Sequence, residues 1–310
     1  MTVTPYIKTS MTLILITSWI ALPQEAWAWG AGVHLQVGMY ALDNLALLPH
    51  ALQNILAAHP YDFLYGCISA DITIGKKYTH YLKHCHSWRV AKQILAAADS
   101  DSQRACAWGY FSHLAADTVA HSYFVPVKMI RTFNTVLLKH TYWEMRYETL
   151  ADPQVWEIAR TLAQRDFTDN DNMMRQVLAN TLFSFGTNKR IFNSILLVSR
   201  LQHWHKMLRS LSENSRYPLG HENAEEYFDL ARSASLSILR EFEQSAYFQA
   251  DPTGERGLEA GRMLRKNLSL LWQEGKISDS EANEYIEKIR PQFKASITRP
   301  EELLQSLSAA

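Results

Sequence analysis

Apolar residues recur three and four positions apart along most of this chain, the spacing of one buried face on a helix. Val33, Val37, Tyr40, Ala41 and Leu45, then Leu52, Ile55 and Leu56, mark two helices over residues 33–58 that break at Pro49, and Pro60 ends the second. Residues 66–75 lie between glycines and read as a loop or short irregular element carrying Asp71. Residues 78–98 predict a helix after a histidine-rich entry, and residues 99–102 are a polar break. A central helix follows over 103–121, Pro126 stops or kinks what comes next, and a second helix covers 127–150. Further helices are predicted over 155–164, 170–185, 189–211, 222–244, 254–275 and 278–295, with Asp169 and Ser278 as N-caps and Gly275 as a stop signal. Sustained period-two alternation, a glycine-rich phosphate loop and a fixed repeat are all missing from the sequence. The fold class is therefore all-α. The expected organisation is a single domain over residues 29–310, with a ligand-bearing core at 29–150 and a helical C-terminal section at 151–310.

The first residues follow a different pattern. Lys8 precedes an apolar run over 11–22, and Pro23 leads to Ala26-Trp27-Ala28, the charged start, apolar middle and small-residue end of a secretory signal peptide. A cut after Ala28 would make Trp29 the first residue of an exported, periplasmic or secreted protein. Three cysteines, Cys67, Cys85 and Cys106, cannot all pair within the chain, and their spacing reads as small buried residues rather than a disulfide framework. With 31 basic and 31 acidic residues, the formal charge of zero gives no electrostatic argument for a nucleic acid or an anionic membrane as partner.

The candidate chemistry lies on the central helices. His113, Asp117 and His121 stand four apart, as do His140 and Glu144, so each set would project from one helical face. Neutral imidazole and carboxylate are ligands that suit zinc. The plain alternative is a pair of buried helices with satisfied histidines. Burying so many polar groups among Leu114, Val119, Phe124 and Val125 without a metal would be costly, however. Upstream, Asp71 follows Ser69-Ala70, and His80, His84 and His86 crowd one short stretch. Trp29-Gly30-Ala31-Gly32-Val33-His34 places a histidine close behind the expected cut. A free α-amino group titrates near neutrality, so it can act as a nitrogen ligand while its own carbonyl chelates the same ion.

In their order along the chain these residues resemble the zinc-dependent phospholipase C family, and the Trp29 element is similar to that of the extracellular zinc nucleases that cut single strands. The resemblance covers residues 29–148 and implies a multi-helix bundle with three zinc ions in a cleft. It implies one ion on Asp71, His84, His113 and Asp117. A second would be held by the amino and carbonyl groups of Trp29 with His34 and a bridging Asp117, and a third by His121, His140 and Glu144. His84 is taken for its distance from Asp71, with His86 as second choice and His80 nearby. The chain departs from the family in one respect: members usually place two more residues between the helix aspartate and the next histidine, and this bears on the third site. The implied activity is hydrolysis of a phosphodiester by metal-activated water, with Asp71 as ligand or as the base that orients the water.

The substrate is less legible. Phe183, Phe185, Ile191, Phe192, Ile195, Leu196 and Leu197 would suit transient contact with a membrane surface or ordinary core packing, and core packing is the commoner use of such a stripe. Lys128 and Arg131 near Phe133, or Arg200 and Arg209 around Trp204, are the candidates for a nucleic-acid strand, and His203 and His205 read as surface residues. Three readings follow: an exported phospholipase C-type zinc enzyme acting on phospholipid or another phosphodiester, a zinc nuclease for single strands, and a non-catalytic helical protein with a structural metal site. Release of diacylglycerol, release of acid-soluble nucleotides, or zinc binding without hydrolysis separates them. No partner protein is implied.

Overall fold

In the computed structural model, which describes residues 29–73, 85–135, 140–178, 184–199, 219 and 221–308, all regular structure among the described residues is helical. The longer helices are α1 (Ala31–Asp43), α2 (His50–Ala58), α3 (Pro60–Ser69), α4 (Trp88–Ala96), α5 (Asp101–Val119), α6 (Val125–Arg131), α7 (His140–Glu148), α8 (Val155–Gln164), α9 (Thr168–Val177) and α10 (Phe185–Ser199). They continue with α11 (His221–Glu241), α12 (Glu255–Gln273), α13 (Asp279–Ala295) and the short α14 (Leu303–Ser308). One apolar cluster runs through them from Trp29 to Leu303. The three cysteines are buried, and among the described residues no helix is long and apolar enough to cross a membrane.

Helix α5 is the axis. Ser100 starts it by accepting a hydrogen bond from the Gln103 amide at 3.3 Å. From Gly109 to Val119 every residue is buried, because small and apolar side chains occupy all sides of the helix. Helix α3 crosses it at a glycine pair. A Cβ on Gly66 would lie 2.0 Å from the Cys106 carbonyl oxygen, and one on Gly109 would lie 1.9 Å from that of Phe63. The two backbones therefore touch, which brings the end of α3, and Asp71 just beyond it, against the middle of α5. Helix α2 ends at Ala58, just before Pro60 as expected, and Pro60 also opens α3, since its missing N–H costs nothing at a first-turn position. Residues 66–69 consequently belong to α3, while Asp71 sits in a 3-10 turn, Ala70–Ile72, which is the short irregular element expected there.

Pro126 neither stops nor ends the ligand-bearing helix. A π-helical turn, Ala120–Phe124, joins α5 to α6, and its wider spacing accommodates a proline ring that would crowd the carbonyl four residues back. The chain then turns at residues 132–135, so the expected helix over 127–150 is divided between α6 and a separate α7. Other boundaries shift for local reasons. Phe167, not Asp169, is the N-cap of α9, and Asp166 just ahead of it accepts from the Thr168 amide at 2.9 Å, whereas Ser278 forms the expected capping box with Glu281. Phe192 and Leu196 are buried, so the stripe on α10 is largely core, although Leu197 is exposed. The expected signal peptide, His80, Phe183, Arg200, His203, Trp204, His205 and Arg209 lie outside the described residues.

Two side chains fix α7 against its neighbours. Helix α1 has no side-chain cap of its own. Glu148, at the end of α7, takes that role by accepting from the Gly32 amide at 2.6 Å and the Val33 amide at 3.2 Å. Lys128 of α6 is buried with its ammonium 5.6 Å from the Trp143 ring centroid. Burial pushes its amine down to about 7, and Arg131, Arg290 and Arg146 add repulsion. Phe133 is likewise buried and Arg131 pairs with Glu287, so this group does not offer the basic surface considered for a nucleic-acid strand.

Glu148→Ala should unfold the start of α1 and cost about 2 kcal/mol in a denaturation experiment. Glu148→Gln, which keeps one acceptor oxygen, should cost less. For Lys128, the unfolded chain holds its proton up to about 10.5 while the folded chain releases it at about 7, so stability rises with pH across that window. Lys128→Met should therefore have the higher Tm, with the gap widest below pH 7 and closing as the pH approaches 10.5.

Candidate metal centre

Three elements converge on one carboxylate. Asp117 of α5 is fully buried, and its Oδ1 lies 3.3 Å from His34 Nε2 of α1. Its Oδ2 lies 3.0 Å from His86 Nε2 and 3.2 Å from His113 Nε2, one helical turn back on α5. His86 Nε2 is also 3.4 Å from Asp71 Oδ1 and 3.2 Å from His113 Nε2. The His34 and His113 rings stack with centroids 3.8 Å apart. The ligand atoms of His34, Asp71 and His113 fall within 4.8 Å of one another, as do those of His86, His113 and Asp117. The segment carrying His86 is held by Tyr110, which donates to the Cys85 carbonyl at 2.7 Å, and by the Ser87 cap on α4.

The hydrogen-bond chemistry of this group favours a cation over protons. His113 Nδ1 lies 2.8 Å from the Cys67 carbonyl oxygen. A carbonyl only accepts, so in the neutral ring the proton sits on Nδ1 and Nε2 presents a lone pair to Asp117 and His86. Burial lowers the basicity of His113, and His34 beside it adds to the effect, which keeps the ring neutral. Asp117 has the opposite need. Burial alone would raise its carboxyl, yet His113, His34 and His86 hold it well below the usual carboxylate range. The rings can hold it there only as charged or donating groups, and because burial disfavours the charged form of His113, a cation would have to supply the positive charge in its place. Both oxygens of Asp117 and both ring nitrogens of His34 are buried without a hydrogen-bond partner. Bare acceptors facing one another at these distances are the donor set of a divalent metal such as zinc, so the residues fit that ion.

A second pair lies farther along the same helical axis. His121, in the π turn, has Nε2 3.7 Å from Glu144 Oε1 of α7. Burial pushes the Glu144 carboxyl up to about 8 although His121 lowers it, and a nearby cation would favour the ionised form. His140 opens α7, but its side chain is outside the described set, and His84 is outside the described residues altogether. Among the described residues, the member of the histidine-rich stretch that stands with Asp71, His113 and Asp117 is His86.

Trp29 is fully buried, with its indole stacked on Tyr147 at 5.0 Å and tilted against Phe124 at 5.9 Å. This aromatic seat fixes the chain immediately ahead of α1 and His34. Two supporting groups escaped the sequence reading. The Cys67 carbonyl is a main-chain atom and leaves no sequence signal. Glu148 does leave one, because it extends the His140, Glu144 spacing by a further four residues.

A family model described as zinc dependent phospholipase C matches residues 33–185. Comparisons with individual curated proteins and with solved structures give no match. The matched stretch begins beside His34, takes in every residue of the two clusters just described, and ends at the start of α10. Residues 33–185, just under half of the chain, thus match the zinc-dependent phospholipase C family.

Proposed function

We propose that the chain is an exported zinc phosphodiesterase that removes phospholipid head groups in the manner of a phospholipase C, after loss of residues 1–28. The observation that carries this reading is Asp117, a fully buried carboxylate without a hydrogen-bond donor, set among His34, His86 and His113. In this reading Asp71, His86, His113 and Asp117 hold one zinc. His34 and Asp117 hold a second, together with the amino and carbonyl groups of Trp29 once the leader is gone. His121, His140 and Glu144 hold a third. Zinc, when bound, supplies positive charge for the phosphate oxygens and makes water acidic enough to ionise near neutral pH.

The protein's own groups divide the remaining work. Asp117 would be the ligand shared by the first two ions, since His34 faces one of its oxygens and His86 and His113 the other. Asp71 lies at the edge of the cluster, where a carboxylate oxygen can orient the attacking water and receive its proton. Cys67 presents its carbonyl to His113 Nδ1 and keeps Nε2 free. The exclusion of bulk water by Trp29, Tyr147 and Phe124 strengthens each of these electrostatic contacts. Contact with a lipid surface would be transient, made as the substrate enters.

The test is a zinc count on mature protein whose first residue has been sequenced, followed by paired assays on phosphatidylcholine vesicles and single-stranded DNA. Diacylglycerol release with Trp29 as first residue and three zinc equivalents is the expected result. Acid-soluble nucleotides instead of diacylglycerol would reassign the substrate, and zinc binding without hydrolysis of either would reassign the protein as a structural metal binder. Asp117→Asn should abolish hydrolysis and remove at least one zinc equivalent; a variant that keeps both overturns the role given to Asp117. His86→Ala should weaken one zinc equivalent by about 10-fold or more, and His84→Ala should leave all of them intact.

A further inference from the structure

Helix α12 lies outside the family-matched region, yet its N-terminal end is packed against His121. His121 Nδ1 is 3.0 Å from the carbonyl oxygen of Pro252. Since the carbonyl can only accept, the neutral ring carries its proton on Nδ1 and turns a lone-pair Nε2 toward Glu144. The turn supplying that carbonyl is internally braced. Asp251 Oδ1 accepts from the Thr253 amide at 2.9 Å and from the Thr253 hydroxyl at 2.7 Å, Oδ2 accepts from the Glu255 amide at 3.2 Å, and the Asp251 carbonyl accepts from the Gly254 amide at 3.0 Å.

The packing around the turn leaves no slack. Gly254 has a left-handed φ of 58°, and a Cβ there would lie 2.3 Å from the Cβ of His121. One turn on, a Cβ at Gly257 would lie 3.0 Å from Ser122 Cα, and one at Gly261 would lie 3.1 Å from Pro126 Cα. Helix α12 thus approaches the π turn along a line of glycines, with the Pro252 carbonyl delivered at its head. The π turn aims His121, and the 251–254 turn receives it.

We propose that the 251–254 turn is a positioning element for the His121 and Glu144 site. The Pro252 carbonyl sets the His121 tautomer and ring plane, Gly254 clamps the ring's base, and the C-terminal section thereby completes a site whose side chains all come from the matched region. The metal-binding part of this inference rests on the function proposed above; the tautomer part stands without it.

The test uses full-length protein with histidine ring nitrogens labelled with 15N. In the metal-free parent, His121 should show a protonated Nδ1 and a bare Nε2 in long-range proton–nitrogen correlation spectra. Gly254→Ala should displace the turn and give mixed tautomers, and Asp251→Ala, which loosens the turn without adding bulk, should do so more mildly and keeps the question open to measurement if the first variant fails to fold. In a zinc titration against a competing chelator, both should weaken one equivalent by about 10-fold or more and leave the others at the parental affinity. Gly275→Ala is the control, because Gly275 also has a left-handed φ, 66°, but a Cβ there would touch nothing within 4 Å. It should lower stability while leaving the His121 signals and zinc affinities unchanged. A parent His121 protonated on Nε2, parental tautomer and affinity in both turn variants, or equal loss in Gly275→Ala would each overturn the inference. A parent that binds no zinc while its Nδ1–H tautomer is lost in the turn variants would instead refute the proposed function and leave the turn's hold on His121 in place.

Discussion

A carboxylate with no exposed surface has to be stabilised by charge or by donated hydrogen bonds, and Asp117 has no hydrogen-bond donor. Much of the architecture answers that single requirement. Helix α5 carries small and apolar residues on every side because it must run through the interior to put Asp117 there. Helix α3 reaches it only because Gly66 and Gly109 allow the backbones to touch, which also delivers Asp71 and the Cys67 carbonyl. His34 and His86 arrive from separate elements on opposite oxygens. Removing any one of these approaches would leave the others with a buried negative charge and less to offset it.

The two halves of the centre are held by different devices. Around Asp117 the support is local to the matched region: the Cys67 carbonyl on His113, Tyr110 on the His86 segment, and Glu148 on the first turn of α1. Around His121 the support is long-range, from a turn more than a hundred residues later in the chain. The π turn links them. It lets the helix pass Pro126 without breaking, and it sets where His121 points relative to Asp117.

Charge is also offset on α6 and α7. Lys128 and Arg146 sit over the Trp143 ring with centroids 5.6 and 5.5 Å away, so α6 and α7 are joined through an aromatic face beside the Glu144 position. Arg131 at the end of α6 and Arg290 of α13 are matched by Glu287 and Glu226. The outer layer can therefore be ion-paired while the inner one is left with the unmatched acceptors that a metal would satisfy.

Periodicity was sufficient to read the all-α class, because a buried helical face must repeat every three to four residues whatever it packs against. The four-residue spacing of His113 with Asp117 was equally legible, since a single helix fixes that geometry by itself. The choice among His80, His84 and His86 was not legible, because it depends on how the segment after Asp71 returns to α5, and the Tyr110 to Cys85 hydrogen bond that brings His86 in is a contact between distant parts of the chain. Pro60 follows the end of one helix and begins the next, and the second role was not legible because the same ring that breaks a helix interior is compatible with a first turn, so only the neighbouring elements decide. The Pro252 carbonyl and the Gly66 to Gly109 approach belong to the same class. The sequence by itself determined which residues could be ligands and which secondary structure would carry them, since both follow from local chemistry and local spacing. Tertiary structure alone decided which of them meet, because convergence depends on packing between segments far apart in the chain.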